Sequence, residues 1–210
     1  MLNSNISIGY RATLLIVASP ILVLLIVFSG FLLQLPSIVA YSGIIFLALN
    51  YVGFILFLIS MYGLAKDYRE PSLFRNTVYG FLTLVGGTLF FYLLEFLIFP
   101  FIFSDLIAIP YSVQTPGTFA SLLLDILIFS VLLWIGMFVV SLVSGIFFRR
   151  ALYGLFEKTG EEKFKSAGFW IFLGGVLSIV VIGGVFVFVA WVYALLGFYS
   201  LNKKSKHHNI

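Results

Sequence analysis

The sequence predicts an all-α protein, a polytopic transmembrane helical bundle of six spans with both termini cytoplasmic, five spans being the alternative. Three observations predict it. The chain is 62% hydrophobic and 10% charged over 210 residues, with a mean hydropathy of +1.17, whereas a soluble domain is about half apolar and a quarter charged. The apolar residues fall in long uncharged runs divided by short polar loops, and a helical crossing of about 30 Å of hydrocarbon needs runs of that kind. Every Lys and Arg lies outside those runs, which reads as a topology signal.

The first span is 13–33, 21 residues without a charge flanked by Arg11. It is longer than the apolar core of a cleaved signal peptide. Gln34, Pro36 and Ser37 make a short turn, and 38–65 crosses back. The polar stretch 66–71 and Arg75 lead into the third span, 77–99, with Pro100 near its outer end. Residues 104–117 hold Pro110 and Pro116 and no Lys or Arg, as expected of an outer loop. The fourth span, 122–148, ends on Arg149 and Arg150.

The 35 uncharged residues of 167–201 would make a helix of about 50 Å, too long for one ordinary crossing. A break at Gly183-Gly184 divides them into two short spans, 167–182 and 185–201; one strongly tilted helix is the alternative. An even number of spans puts all 12 Lys and Arg on one side. Five would strand Lys203, Lys204 and Lys206 outside, so the positive-inside rule favours six. The whole chain, 1–210, then forms a single transmembrane domain with no room for a soluble one.

The formal charge of +4 would point a soluble protein toward nucleic acid. Here the basic residues flank apolar runs, so the expected partners are membrane lipids and other membrane-protein subunits, with no nucleic acid. Cysteine is absent, which removes disulfides, thiolate metal ligands and cysteine catalysis.

The two inner loops echo one another. Tyr62-Gly63-Leu64 leads to Phe74-Arg75-Asn76, and Tyr153-Gly154-Leu155 leads to Phe164-Lys165-Ser166, which reads either as a duplicated helix–loop–helix or as the ordinary aromatic composition of a membrane interface. These segments, with Tyr79-Gly80, Phe148-Arg149-Arg150-Ala151, Glu157-Lys158-Thr159-Gly160 and Ala167-Gly168, resemble an archaeal family of small multi-spanning membrane proteins, a domain of unknown function. The resemblance covers roughly 60–80 and 145–200. It implies an archaeal plasma-membrane protein and carries over no activity and no site residues.

Ionisable groups are costly in hydrocarbon, so Glu95 and Asp125 stand out. Both fall near the outer ends of their spans, and with Asp105 they form three carboxylates on a side without Lys or Arg. They are a candidate cation or proton site, or three interfacial acids facing water. On the inner side Arg75, Arg149, Arg150, Lys163 and Lys165 are candidate contacts for lipid or a cytoplasmic partner, or topology determinants alone. Thr159-x-x-Glu162 has the pattern of a capping box. Ser141-x-x-x-Gly145 and Ala190-x-x-x-Ala194 are small-residue pairs that permit close helix contact, and Gly174-Gly175 is either a packing notch or a place where a helix unwinds around a ligand. Pro20 is expected to kink the first span.

The histidines, His207 and His208, are confined to the tail, so haem within the spans and a zinc-protease motif are not expected. No lysine lies within a span for a serine–lysine dyad, and no phosphate-binding Gly-rich loop is present. The expectation is a non-catalytic protein without cofactor or metal, an accessory or organising subunit, with a small-solute or ion carrier as the alternative.

Overall fold

The structure, a computed structural model, describes residues 2–108, 116–180 and 182–207, with side chains of 36–40, 99, 101–108, 116–122, 206 and 207 outside that description. It contains six helices: α1 (Leu2–Leu32), α2 (Pro36–Asp67), α3 (Pro71–Ala108), α4 (Pro116–Thr159), α5 (Glu162–Leu177) and α6 (Gly183–His207). A single 3-10 turn, Ser178–Val180, follows α5. No strand occurs among the described residues, and six helices are long and apolar enough to cross a membrane. This is the architecture of a multi-pass membrane protein.

The helices overrun the uncharged segments. α1 begins at Leu2 and includes Arg11, α3 continues through Pro100 to Ala108, and α4 extends past Arg149 and Arg150 to Thr159. An uncharged run marks where a helix lies in hydrocarbon, whereas the helix itself goes on until its backbone turns. α1 likewise passes through Pro20 without interruption. The expected outer loop 104–117 is shortened from both ends, and 109–115 lie outside the described residues.

Three tight turns reverse the chain, each on one residue in the left-handed region: Gln34 (φ 54°), Arg69 (φ 52°) and Gly160 (φ 67°). The first two close in the same way. Leu35 N–H donates to Gly30 O at 2.8 Å and Gln34 N–H to Phe31 O; Glu70 N–H donates to Ala65 O at 2.8 Å and Arg69 N–H to Lys66 O. This pair of bonds satisfies carbonyls that a helix end leaves open. In both turns a proline two residues on starts the next helix, where its missing N–H costs nothing. The capping box expected at Thr159 and Glu162 does not form. Glu161 is the N-cap of α5 without a side-chain cap, while the Thr159 hydroxyl donates to Leu155 O and accepts from Glu161 N–H. Because α4 runs to Thr159 itself, that hydroxyl serves the end of α4.

The N-terminus, the α2–α3 turn, the α4–α5 turn and the end of α6 meet at one end of the bundle, the basic end. Asn5 Nδ2 donates to Asp67 Oδ2 at 2.8 Å and Ser60 Oγ to Asn5 O. Lys158 pairs with Glu70 at 3.0 Å, and Lys204 with Glu161 at 3.1 Å. Lys163 reaches Ser200 Oγ and Glu161. Ser72's hydroxyl and the Lys158 ammonium hold the Glu70 carboxyl below its ordinary value. A lowered carboxyl pKa means that this link is present at neutral pH and is lost as pH falls through the folded-state value, below about 4.5.

Neighbours in sequence are neighbours in space, and α6 packs back on α1, so the six helices close a ring. Aromatic side chains fill its centre. Phe54 and Phe57 of α2 stand edge-on to Trp191 of α6, Phe148 of α4 packs on both Phe54 and Trp191, and Phe198 meets Phe57 and Phe164. Phe57, Phe164 and Phe198 are fully buried. This core belongs to the basic half alone. Among the described residues no buried hydrophobic side chain of α1 lies beyond Val17, and none of α4 precedes Phe148. In the most apolar stretches of α3 and α4 none is buried.

The asymmetry follows from the length of α5. Lipid provides no hydrophobic drive for helices to associate, so small residues that bring backbones together do much of the work. A Cβ built on Gly168 would lie 3.2 Å from the Arg149 carbonyl oxygen, one on Gly145 3.2 Å from that of Ile171, and one on Gly175 2.9 Å from that of Ser141. The Ser141/Gly145 pair therefore faces α5. These contacts also fix its height: Gly175 is level with Ser141, and α5 ends two residues later, while α4 continues 25 residues to Pro116, about 38 Å. By helical rise the α5–α6 junction then stands about 15–20 Å above the level of Arg149, whereas α4 rises about 50 Å above it to Pro116. Replacing Gly175 or Gly145 with Leu should lower the melting temperature in detergent by several degrees, as expected for about 1–3 kcal/mol of overpacking. Gly86→Leu, where a Cβ meets nothing within 4 Å, should leave the melting curve in place. Equal melting curves for all three would show that α5 does not pack on α4 through these glycines.

Candidate functional site

The α5–α6 junction borders a cavity of about 210 Å3 whose walls include Ser141, Ser144, Gly174, Gly175, Ser178 and Gly183, with Phe54 and Trp191 at its basic side. α4 contributes Ser141 and Ser144, α5 stops at Leu177 because the chain tightens into the 3-10 turn that carries Ser178, and Gly183 lets α6 start against Gly174. The Ser144 hydroxyl donates to Gly80 O of α3 at 2.9 Å and the Ser178 hydroxyl to Gly175 O at 2.7 Å. Those hydroxyl protons are already given to backbone carbonyls, so the cavity is walled chiefly by apolar and small groups. It has room for a small apolar group and no acid or base to act on one. Gly174 and Gly175 thus serve the approach of α5 to its neighbours and also border the break.

The candidate acids lie elsewhere. Glu95 is exposed on α3 and borders a shallow recess with Thr88, Phe91 and Tyr92 of its own helix and Leu133 and Met137 of α4. Asp125 is exposed on α4, eight residues before Leu133, about 12 Å of helical rise further toward the end opposite the basic one. The side chain of Asp105 lies outside the described residues. Among the described residues no group of three His, Cys, Asp or Glu is gathered as a metal ion would need.

The basic candidates separate into two kinds. Lys163 is engaged with Glu161 and Ser200, and Lys165 with Glu162 at 3.8 Å and the Phe156 ring. Arg75, Arg149 and Arg150 are exposed, and Arg149 lies over the ring of Phe172 at 4.9 Å.

Two links made by asparagines went unread in the sequence. Asn50 Nδ2 donates to Ser19 Oγ at 2.6 Å, joining α2 to α1 within the apolar region, and Asn5 joins α1 to the end of α2. An Asn in an apolar run is itself the signal, since a polar amide there needs a partner.

The echo between the two basic-end turns has a structural counterpart. Leu64 and Leu155 are fully buried, and the left-handed residue, Arg69 or Gly160, follows the echoed tyrosine by seven positions in each. Gly63 receives Asn5 of α1 and Gly154 receives Leu73 of α3, so each glycine accommodates the helix before its own. The aromatic partners differ: Tyr62 packs on Phe74, whereas Phe164 turns inward to Phe198.

No solved structure matches the chain. It is similar to the uncharacterized protein MJ1644 of Methanocaldococcus jannaschii, 23% identical over 181 residues that cover 86% of this chain and 92% of that protein. The family described as "Protein of unknown function (DUF996)" matches residues 49–192, from α2 through the aromatic core to Trp191. The chain belongs to the DUF996 family.

Proposed function

We propose that this protein is a non-catalytic accessory or organising subunit of the plasma membrane, with both termini cytoplasmic, that acts by lateral contact with other membrane-protein subunits. One observation carries the reading: the hairpins α1–α2 and α3–α4 extend well past the short α5–α6 hairpin, and their apolar surfaces there are left uncovered by the chain itself. Leu24, Phe28, Leu93, Phe96, Leu127 and Leu132 are each at least 60% exposed. Lipid covers such surfaces in any membrane protein. The aromatic filling of the basic half supports a role without conduction. The cytoplasmic assignment rests on the gathering of Lys and Arg at the basic end.

A second reading, an ion or small-solute carrier, is favoured by one feature: Glu95 borders a recess between α3 and α4. Its candidate cation or proton site is Glu95 with Asp105 and Asp125.

The absence of native cysteine makes the first reading directly testable. Single cysteines at Leu24, Leu93 and Leu132, cross-linked in native membranes, should give discrete adducts with another membrane protein, identifiable by mass spectrometry. A ladder of random adducts, or monomer alone at all three positions, would contradict an organising role. For the carrier, Glu95→Gln with Asp125→Asn should change proton or cation flux in proteoliposomes, and wild-type vesicles no leakier than empty ones would remove that reading.

A further inference from the structure

On the outward face of α4 near the basic end, Ile146, Arg149, Arg150, Tyr153 and Glu157 recur at three- and four-residue spacing, so they share one side of the helix. With Ser72 at the start of α3 and Phe172 of α5 they border an open groove of about 410 Å3. The order along α4 runs from an apolar residue through two cations to a phenol and an acid. A bilayer presents a lipid in the same order, with chain, then phosphate, then headgroup.

The two arginines, like Arg75, differ from the paired lysines of this end of the bundle. Lys158, Lys163, Lys165 and Lys204 each have a carboxylate partner within 4 Å, whereas Arg149 and Arg150 form no ion pair among the described residues. Arg149 is held over Phe172, which orders its guanidinium at the mouth of the groove and leaves its N–H edge for an acceptor. With Glu157 the groove carries an excess of one positive charge. A guanidinium pair offers the forked donors that match phosphate oxygens, and Ile146 and Phe172 supply an apolar wall at the membrane-facing side.

We propose that this groove is a binding site for an anionic phospholipid, with the phosphate between Arg149 and Arg150 and one hydrocarbon chain along Ile146 and Phe172. The site lies across the α3, α4 and α5 contacts at the basic end, so an occupying lipid would tie the short hairpin to the tall one. It does not depend on the organising role and would hold equally for a carrier.

Native mass spectrometry of the full-length protein in detergent tests it, with phosphatidylglycerol and the diacylglycerol of the same chains as probes. Phosphatidylglycerol should be retained and diacylglycerol should not. Arg149→Ala with Arg150→Ala should weaken retention at least tenfold, while Lys163→Ala with Lys165→Ala should leave it within twofold. Arg149→Lys with Arg150→Lys keeps both charges for folding and should still lose several-fold, because the planar fork is gone. Undiminished retention with Arg149→Lys and Arg150→Lys, an equal loss in the two Ala pairs, or displacement by millimolar inorganic phosphate would each overturn the proposal, the last by showing an anion site that does not read the lipid chain.

Discussion

The architecture depends on how closely α5 lies against α4. Gly145, Gly168 and Gly175 remove the side chains that would hold the two backbones apart, and the contact sets the height of the α5–α6 hairpin as well as its position. With α5 seated, α6 can turn at Gly183 and return against α1, which closes the ring. Trp191 then reaches Phe54, Phe57 and Phe148. The aromatic core, the restriction of buried hydrophobic side chains to the basic half and the cavity at the hairpin tip all follow from that one register. In a membrane this is the expected currency of folding, because dispersion contacts and satisfied polar groups replace the hydrophobic drive.

The same register divides the molecule by task. Its basic half is filled, laced by Asn5, Glu70, Glu161 and their partners, and carries the arginine groove. The opposite half consists of two tall hairpins whose exposed faces are apolar and whose acids, Glu95 and Asp125, sit at different heights. The proposed lateral partner would meet the second half, and the proposed lipid phosphate the first. An organiser anchored by lipid at one end and open to a partner at the other is consistent with both, and neither property needs a reacting group.

Much of the fold was legible in the sequence, and the reasons are local. A charge cannot be hidden in hydrocarbon, so the uncharged runs and the basic flanks located all six helices, and Gly183-Gly184 marked the start of the last one. Helix ends were less legible. Arg11, Arg149 and Arg150 were read as boundaries, yet a helix crosses the interface without stopping, whereas the stops at Gln34 and Arg69 fall within the turn at Gln34, Pro36 and Ser37 and the polar stretch 66–71 that the sequence announced. The height of α5 was beyond the sequence because it is a property of pairs: Gly145 facing Ile171 and Gly175 facing Ser141 are each ordinary alone. The arginine groove was half legible, since Arg149 and Arg150 were named with three other cations that the fold then pairs or places elsewhere.

The depth of the α5–α6 junction is the quantity on which this account turns, and a nitroxide attached at Ile179→Cys in the reconstituted protein measures it by power saturation. Ile179 is partly exposed, at 43%, so the label can stand on the surface of the bundle. Accessibility to oxygen should be high and accessibility to a water-soluble nickel chelate low, giving a depth near the bilayer centre, while a label at Tyr199→Cys should report the polar interface of the basic end. A label at Ile179 that sits at the opposite interface, fully accessible to the chelate, would show that α5 and α6 cross the whole bilayer and would contradict the half-height hairpin.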